Sequence, residues 1–358
     1  MREIERPHLR IPTPREIYTE LDRYVIGQEV AKKTVATAAY NHYKRVLQRR
    51  SGLDRLIKKS NMLLVGPTGC GKTHIARQLA RILDVPFTVC DATEYTEAGY
   101  YGKDVEVMVA ELLFKSDQDV EATSRGIVFV DEIDKIARRS HGARTGAGSR
   151  DIGGEGVQQA LLKLLEGREV FVPLNVTQHW NKHDFVLVDT SDILFLCAGT
   201  FSDLPIHDPD RSIGFSSSSA RERARRRRVS QKALLDYGMT PELLGRLAVT
   251  VQLHSLSEGD LCRILSEPPD SLLREYTALL AADDVELEFP PDGCLAMVRH
   301  AIEKKMGARG LRSIMEVVMR DIMFRAPEIA GTQCRIDAAF VEERLEAADM
   351  ELEPGEDR

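Results

Sequence analysis

The apolar positions in the first two-thirds of the chain form short uninterrupted runs, separated by longer stretches with helical spacing. Apolar runs bounded by polar residues are typical of buried strands in a parallel sheet, and the amphipathic stretches are typical of crossover helices. The predicted strands are Met62–Val65, Phe87–Val89, Ile127–Val130 and Ile193–Ala198. The predicted helices are Thr73–Leu83, Val105–Ser116 and Val157–Glu166. This alternation predicts an α/β domain with a doubly wound parallel sheet.

Beyond Arg246-Leu247 the pattern becomes mainly helical. The helices predicted there are Ser257–Ser266, Ser271–Ala281, Asp292–Lys305 and Arg309–Phe324, with one short strand at Val285–Phe289. Two polar insertions, Ser140–Gly154 and Phe201–Arg228, interrupt the first domain. We therefore expect a large α/β domain over residues 1–253, a smaller, mostly helical α+β domain over 254–345, and an acidic, disordered tail over 346–358.

The amino-acid composition of the chain excludes several classes of protein. The 358 residues are 43% hydrophobic and 29% charged, which is enough apolar surface for a core and excludes a disordered or collagen-like chain. The longest apolar runs fall far short of the roughly 20 residues of a membrane helix, and no signal-peptide pattern opens the chain. We expect a soluble, cytoplasmic protein. The formal net charge of −7 argues against general nucleic-acid binding, and six separated cysteines without a Cys-x-x-Cys pair predict neither a zinc site nor disulfides.

A glycine-rich segment lies between the first predicted strand and the first predicted helix, and it matches the phosphate-loop pattern. Its glycines allow backbone N–H groups to converge on phosphates, Lys72 supplies positive charge at the β and γ positions, and the Thr73 hydroxyl can bind Mg²⁺. The flanking strand and helix argue against a chance Gly-Lys-Thr in a turn. The predicted nucleotide-binding residues of this segment are Gly66, Pro67, Thr68, Gly69, Cys70, Gly71, Lys72, Thr73 and His74.

Two acidic residues follow the predicted strand Ile127–Val130. Asp131 is predicted to hold Mg²⁺ together with Thr73, and Glu132 to polarise the water that attacks the γ-phosphate. An acidic strand end is also found at helix caps and surface turns. The pairing with a single phosphate loop favours the catalytic interpretation. The predicted reaction is ATP hydrolysis, with ATP and Mg²⁺ bound.

With these motifs in place, the sequence resembles the ClpX family of AAA+ ATPases from about Ile11 to about Ala330. The segments that carry the resemblance are Tyr24-Val-Ile-Gly-Gln28, Glu97-Ala-Gly-Tyr-Tyr-Gly102, Gly154-Glu-Gly-Val-Gln-Gln159, Gly245-Arg246 and Gly307-Ala-Arg-Gly-Leu-Arg312. The resemblance implies an AAA+ phosphate-loop domain followed by a small helical domain. It also implies a homo-hexameric ring that unfolds tagged or unfolded proteins and threads them into a ClpP-type peptidase.

The resemblance also implies roles for single residues. Val25 and Ile26 resemble the segment that contacts adenine, although ordinary core packing would use the same apolar side chains. Arg246 resembles the arginine finger that reaches the γ-phosphate of a neighbouring subunit. Arg309 resembles the sensor-2 arginine of the second domain, and Thr200 stands at the sensor-1 position.

Two further segments of the resemblance concern substrate and partner. Tyr100 and Tyr101 resemble the pore loop that grips the translocating chain, and Tyr101 stands where related proteins usually carry an aliphatic residue. Ile213, Gly214 and Phe215 resemble the tripeptide that docks into hydrophobic pockets of the peptidase. The family's N-terminal four-cysteine zinc domain has no counterpart in the chain, so no zinc is expected.

Two other functions would use the same ATPase residues. A remodelling chaperone that works without a peptidase would be favoured if the tripeptide 213–215 were dispensable. A nucleic-acid motor is suggested by the arginine-rich run 221–228. The acidic net charge and the aromatic pore segment weigh against the motor, so neither nucleic acid nor a membrane is an expected partner.

Overall fold

The computed structural model describes residues 10–50, 58–96, 103–137, 154–174, 185–202, 204, 228–304 and 306–352. The chain divides into two compact units. The larger unit consists of Met1–Leu21, Glu29–Pro67 and Lys72–Leu253. The smaller unit consists of Asp22–Gln28, Thr68–Gly71 and His254–Arg358.

The larger unit alternates strands and helices within its described residues. Its strands are β1 (Met62–Val65), β2 (Phe87–Asp91), β3 (Ile127–Asp131), β4 (Glu169–Pro173), β5 (Phe185–Asp189), β6 (Leu194–Gly199) and β7 (Val249–Gln252). The helices up to its last strand are α1 (Pro14–Tyr24), α2 (Glu29–Arg50), α3 (Lys72–Leu83), α4 (Val107–Lys115), α5 (Val120–Thr123), α6 (Gly154–Glu166), α7 (Gln231–Tyr237) and α8 (Pro241–Arg246). Helix α1 ends in the segment grouped with the smaller unit.

Five of the described strands form one parallel sheet in the order β2-β3-β6-β1-β7. Strands β1 and β6 are buried along their whole length, and β3 is buried up to its last residue. Burial on both faces explains their uninterrupted apolar sequences. The predicted α/β class with a doubly wound parallel sheet is confirmed.

The sheet register brings the carboxyl ends of the central strands to one edge. Asp131 at the end of β3 is directly opposite Asp91 at the end of β2. On the other side, Val65 of β1 is opposite Gly199 of β6. In open α/β sheets this edge is the usual ligand-binding edge. Strands β4 and β5 lie outside the sheet as an antiparallel hairpin, which the apolar pattern did not predict.

The smaller unit is mainly helical. Its elements beyond His254 are α9 (Glu258–Ser266), α10 (Leu272–Ala282), β8 (Glu286–Glu288), α11 (Pro291–Glu303), α12 (Gly307–Arg325), β9 (Gln333–Arg335) and α13 (Ala338–Leu352). Strands β8 and β9 pair in parallel, which agrees with the predicted small α+β architecture. Ser257 and Asp260 form a reciprocal capping box that fixes the start of α9.

The predicted disordered tail over 346–358 is wrong in its first half, because α13 continues through Leu352. Val341 and Leu345 of this helix are buried in the core of the smaller unit and hold it as a helix. The remaining residues, 353–358, lie outside the described part. None of the described helices is long and apolar enough to cross a membrane.

Candidate active site

The phosphate-loop segment leaves β1 at the binding edge of the sheet and ends at the first residue of α3. Gly69 and Gly71 have φ angles of +77° and +97°, a conformation that side chains with a Cβ rarely adopt. The N–H of Gly66 donates to the carbonyl of Gly199 on the neighbouring strand (3.3 Å). The sequence therefore places glycine where the turn requires it, and the turn is tied to β6.

Lys72, the first residue of α3, is 7% exposed and turns back over the loop. Its Nζ donates to the carbonyl oxygens of Gly66 (2.7 Å) and Pro67 (3.0 Å). An ammonium group has three donors, so one remains for a further acceptor. Because the N–H groups at the start of α3 also carry partial positive charge, this arrangement suits a phosphate oxygen.

The two predicted Mg²⁺ ligands are in contact. The Thr73 hydroxyl donates to Asp131 Oδ2 (3.3 Å), and Asp131 Oδ1 accepts the N–H of Glu132 (2.9 Å). A hydroxyl and a carboxylate are the hard oxygen ligands that Mg²⁺ prefers, and Mg²⁺ usually takes its other ligands from phosphates and water. In the described residues no group of three or more His, Cys, Asp or Glu side chains could hold a metal alone. The pair therefore fits Mg²⁺ bound together with a nucleotide.

Glu132 has a left-handed backbone, with φ 56° and ψ 30°. A residue other than glycine in this region costs about 1–3 kcal/mol and persists only where its surroundings hold it. Ile133 and Asp134, which follow it, are buried and fix the next turn. The Glu132 side chain is exposed at the carboxyl end of β3.

Asp134 is a buried residue that the sequence analysis did not single out. Its carboxylate accepts the N–H (3.2 Å) and the hydroxyl (3.0 Å) of Thr200 and the N–H of Phe201 (3.3 Å). A Cβ on Gly199 would lie 2.7 Å from Asp134 Oδ1, so only glycine fits there. Asp134 therefore fixes Thr200 at the end of β6.

Gln158 of α6 is a second buried residue that the pattern did not indicate as functional. Its Nε2 donates to the carbonyls of Ile136 (2.8 Å) and Gly238 (3.3 Å), and its Oε1 accepts the N–H of Thr240 (2.8 Å). Ile136 closes the turn that follows the acids of β3, and Thr240 precedes α8. One amide therefore links the acidic turn to the helix that carries Arg246.

Arg246, the last residue of α8, lies at the surface with its side chain 50% exposed. Its Nη2 donates to Glu166 Oε1 (2.7 Å) at the end of α6. Its carbonyl accepts hydrogen bonds from the backbone N–H (3.4 Å) and the Nδ2 (3.2 Å) of buried Asn61. Asn61 thus anchors the backbone of Arg246, whereas the partner of its guanidinium among the described residues, Glu166, is itself about half exposed.

The smaller unit holds the other predicted nucleotide contacts. Val25 and Ile26 are buried there, at 4% and 6% exposure, so the core-packing alternative stays open for both. The Gln28 side chain donates to the His254 carbonyl (2.7 Å) and accepts the His254 N–H (3.0 Å). These two hydrogen bonds fix the position of Gln28, two residues after Ile26.

The amino terminus of α12 lies against the tip of the phosphate loop within the smaller unit. A Cβ on Gly69 would be 3.4 Å from the nitrogen of Ala308. Arg309 follows as the third residue of α12, and its side chain is exposed. It has no hydrogen bond or ion pair with another residue that the structure describes.

A buried polar network joins α2 to the turn between β5 and β6. Arg45 donates to the Ser191 carbonyl (2.7 Å) and to Asp192 Oδ1 (3.1 Å), and Arg49 also contacts Asp192 (3.2 Å). His42 Nε2 is 2.9 Å from the Asp192 carbonyl, so this nitrogen carries the hydrogen. Burial, reinforced by the Arg45 charge, lowers the pKa of His42 to about 3.

Five predicted site residues lie outside the described part of the chain. They are Tyr100, Tyr101, Ile213, Gly214 and Phe215. The structure thus brings together Lys72, Thr73, Asp131, Glu132 and Thr200 at one sheet edge, and the pore and docking assignments stay predictions.

Two family models match the chain. Residues 57–250 match the AAA domain (Cdc48 subfamily), and residues 256–332 match the C-terminal, D2-small domain of ClpB protein. The first match includes β1, α3 and β3 with the residues described above.

The chain is also similar to several curated relatives along most of its length. It is 43% identical over 347 residues to the ATP-dependent Clp protease ATP-binding subunit ClpX 2 of Wolinella succinogenes, covering 97% of this chain and 85% of the relative. The ClpX subunit of Treponema denticola is 43% identical over 330 residues, covering 90% and 79%. That of Bacteroides fragilis is 42% identical over 348 residues, covering 95% and 83%.

Proposed function

Because the chain belongs to the ClpX family of AAA+ ATPases, we propose that it is an ATP-dependent protein unfoldase that feeds substrates into a ClpP-type peptidase. The reaction that drives it is ATP hydrolysis. The observation that carries this assignment is the contact of the Thr73 hydroxyl with Asp131, beside the exposed carboxylate of Glu132. Nothing in the part of the chain that the structure describes favours the peptidase-independent chaperone or the nucleic-acid motor.

The side chains at the carboxyl edge of the sheet have separate roles in ATP hydrolysis. Lys72 and the N–H groups of the phosphate loop bind the β- and γ-phosphates. Thr73 and Asp131 would hold Mg²⁺, which supplies charge neutralisation at the phosphates when it is bound. Glu132 accepts a proton from the attacking water as general base. Thr200, whose hydroxyl and N–H both donate to Asp134, is held at the sensor-1 position at the end of β6.

The proposed active site is completed by a neighbouring subunit. Arg246 has an anchored backbone and a guanidinium that is half exposed on Glu166, so it can leave this weak partner for the γ-phosphate of the next subunit. A homo-hexameric ring gives every site one such arginine. A Clp-type peptidase, which the names of the relatives indicate, is the proposed partner of the ring.

The smaller unit is proposed to sense the nucleotide. Arg309 is exposed near the start of α12, where the tip of the phosphate loop lies against Ala308. Val25 and Ile26 are proposed to line the adenine site, with Gln28 holding their segment in place.

Translocation and docking depend on residues outside the described part. Tyr100 and Tyr101 are proposed to grip the substrate chain, and the tripeptide 213–215 is proposed to dock on the peptidase. Tagged or unfolded proteins are the proposed substrates. The homo-hexamer, the cytoplasmic location and the domain limits at residues 253 and 345 stay predictions.

The decisive experiment is degradation of a tagged, folded fluorescent reporter, with and without ATP and with and without a ClpP-type peptidase. We expect fluorescence loss only with ATP, and peptide products only when the peptidase is added. Fluorescence loss with ATP but no products with the peptidase would favour the remodelling chaperone. ATP hydrolysis without any loss of fluorescence would contradict the unfoldase assignment.

A further inference from the structure

Helix α8, which ends in Arg246, is held at both ends by buried amide side chains. At its start, the N–H of Thr240 donates to Gln158 Oε1 (2.8 Å). At its end, the carbonyl of Arg246 accepts hydrogen bonds from the N–H (3.4 Å) and the Nδ2 (3.2 Å) of Asn61. Gln158 is fully buried, and Asn61 is 1% exposed. Because the helix has only six residues, contacts at its two ends fix both its place and its direction.

Gln158 ties the start of α8 to the turn that follows β3. Its Nε2 donates to the carbonyls of Ile136 (2.8 Å) and Gly238 (3.3 Å), so both hydrogens of the amide are used. Ile136 ends the turn that follows Glu132, and Gly238 caps the end of α7. Turning the amide over would leave three backbone groups without this partner, so the buried side chain keeps one orientation.

Asn61 ties the end of α8 to the parallel sheet. Its Nδ2 donates to the carbonyl of Leu165 in α6 (3.2 Å) as well as to that of Arg246, and its Oδ1 accepts the N–H of Phe195 in β6 (3.4 Å). Asn61 itself directly precedes β1. The end of α8 is therefore attached to β1 and β6, the neighbouring strands that lead into the active site.

The guanidinium of Arg246 is held much more weakly than its backbone. It donates to Glu166 Oε1 (2.7 Å), and both side chains are about half exposed. An ion pair this exposed contributes little, so the guanidinium can exchange partners while the backbone stays in place. The point from which the guanidinium extends is thus set by the two amides, Gln158 and Asn61, rather than by Glu166.

We propose that Gln158 and Asn61 are positioning residues that fix where Arg246 extends from the surface toward the nucleotide of the neighbouring subunit. This inference rests on the proposed function, because it requires Arg246 to act across a subunit interface. Loss of either amide should therefore impair hydrolysis in the neighbour's site. The subunit's own site keeps Lys72 and Glu132 and stays competent when it receives a correctly placed arginine.

The first test measures steady-state ATP hydrolysis by Gln158→Met, which keeps the size of the side chain and removes its three hydrogen bonds. The kcat should fall about 10- to 100-fold, the loss expected when a catalytic group is displaced by about 1 Å. The KM for ATP should stay within about twofold of the wild-type value, because an interaction made only in the transition state is lost. Gln159→Met, at the next and exposed position of α6, is the matched control and should keep the wild-type rate. A wild-type kcat in Gln158→Met would overturn the proposal.

The decisive test mixes subunits, because it shows in which site the defect lies. Mixed with Glu132→Gln, Gln158→Met should regain part of the activity, since some sites then combine an intact Glu132 with a correctly placed Arg246. Mixed with Arg246→Ala, it should regain none, since neither kind of subunit then supplies a usable arginine. The reverse pattern would locate the effect of Gln158 in its own site, through the turn after Glu132, and would overturn the proposal. Recovery in both mixtures, or in neither, would overturn it as well.

Two further measurements separate the proposal from misfolding and from failure of the proposed function. Asn61→Ala releases the other end of α8 and should give the same mixing pattern, so it decides the proposal if thermal unfolding shows that Gln158→Met does not fold. The mixture of Arg246→Ala with Glu132→Gln is the reference. If this reference recovers no activity, the shared site of the proposed function fails and the positioning role fails with it. If the reference recovers and the Gln158→Met mixtures depart from the expected pattern, the positioning role alone fails.

Discussion

The carboxylate of Asp134 accepts both the backbone N–H and the hydroxyl of Thr200, at 3.2 and 3.0 Å, although 66 positions separate the two residues. Asp134 is 4% exposed, so these bonds form in an environment that excludes most water. They tie the turn after β3 to the end of β6, the two neighbouring strands that lead into the active site. The position of Thr200 therefore depends on a side chain outside the recognised motifs.

We expect Asp134→Asn to destabilise the larger unit and to weaken hydrolysis. The amide nitrogen of Asn cannot accept a hydrogen bond, so at least one of the three donors facing Asp134 loses its partner. Leaving a buried donor unpaired costs about 1–3 kcal/mol. Urea unfolding measures the loss, and phosphate release measures the ATPase rate. Asp236→Asn, an exposed aspartate on α7, is the control. A wild-type ATPase rate in Asp134→Asn would contradict the positioning of Thr200.

Glu132→Gln should bind ATP and Mg²⁺ but hydrolyse ATP about 10²- to 10⁴-fold more slowly, because the amide cannot accept the proton of the attacking water. Lys72, Thr73 and Asp131 are untouched, so binding of a fluorescent ATP analogue should stay near the wild-type level. Glu169→Gln, an exposed glutamate on β4, is the matched control. Equal loss of binding and turnover would indicate a structural effect of the substitution at this strained position.

Arg246→Ala should abolish hydrolysis in the homo-oligomer, because each site loses the cation supplied by its neighbour. Mixing it with Glu132→Gln subunits should restore part of the activity, since some interfaces then combine an intact Glu132 with an intact Arg246. The measurement is the ATPase rate across mixing ratios. No recovery at any ratio would argue against a shared site.

The ion pair between Glu166 and Arg246 provides a separate check. Both side chains are about half exposed, so the pair contributes less than about 1 kcal/mol. Glu166→Gln should therefore leave stability and ATPase rate close to wild type, in contrast to Arg246→Ala. A loss as large as that of Arg246→Ala would mean that Glu166 itself has a role at the interface.

His42 should make the larger unit sensitive to acid. Its pKa is lowered to about 3 in the folded protein and is about 6.5 when the chain is unfolded. Between these pH values the unfolded chain binds more protons, so the stabilisation is complete above about pH 6.5 and is lost as the pH falls toward 3. Between pH 7 and pH 5 this group alone accounts for a loss of about 2 kcal/mol.

His42→Gln removes the titrating group while its amide can still donate to the Asp192 carbonyl. Urea unfolding at pH 5 and pH 7 should show a smaller difference in unfolding free energy than the wild type. His254→Gln, whose side chain is exposed, is the control and should keep the wild-type difference. An unchanged pH dependence in His42→Gln would assign the acid sensitivity to other groups.

The elements that could be predicted from the sequence include buried strands of consecutive apolar residues and helices with a regular apolar spacing. Strand β1 has the predicted bounds, and α3 begins one residue earlier than predicted. Strand β7 was missed because its four residues include only two apolar ones, Val249 and Val251, which alternate with polar Thr250 and Gln252. The hairpin of β4 and β5 was missed although Val170–Val172 and Phe185–Val188 are short apolar runs. Its alternate apolar side chains, Phe171, Phe185 and Leu187, are exposed, and its strands pair with each other outside the parallel sheet.

Some active-site residues could likewise be predicted from the sequence, and others could not. Lys72 and Thr73 follow from the spacing of one short segment, whereas the partners of Gln158 lie 22 to 82 positions away and are brought to it only by folding. The left-handed backbone of Glu132 also had no signal, because glutamate has no preference for that conformation. The only clue in the sequence was that Asp134 follows Ile133 and Gln158 follows Val157, so that each polar residue stands next to an apolar one.

The parallel pairing of β3 with both of its neighbours limits how the length of the chain can vary. Because side chains alternate between the two faces of a strand, deleting one residue from Ile127–Asp131 would either exchange the apolar residues that pack on the two buried faces of the sheet or turn Asp131 away from Thr73. Neither outcome preserves both the core and the catalytic pair. Insertions and deletions among natural variants should therefore accumulate in the connections, while the number of residues from Ile127 to Glu132 stays constant.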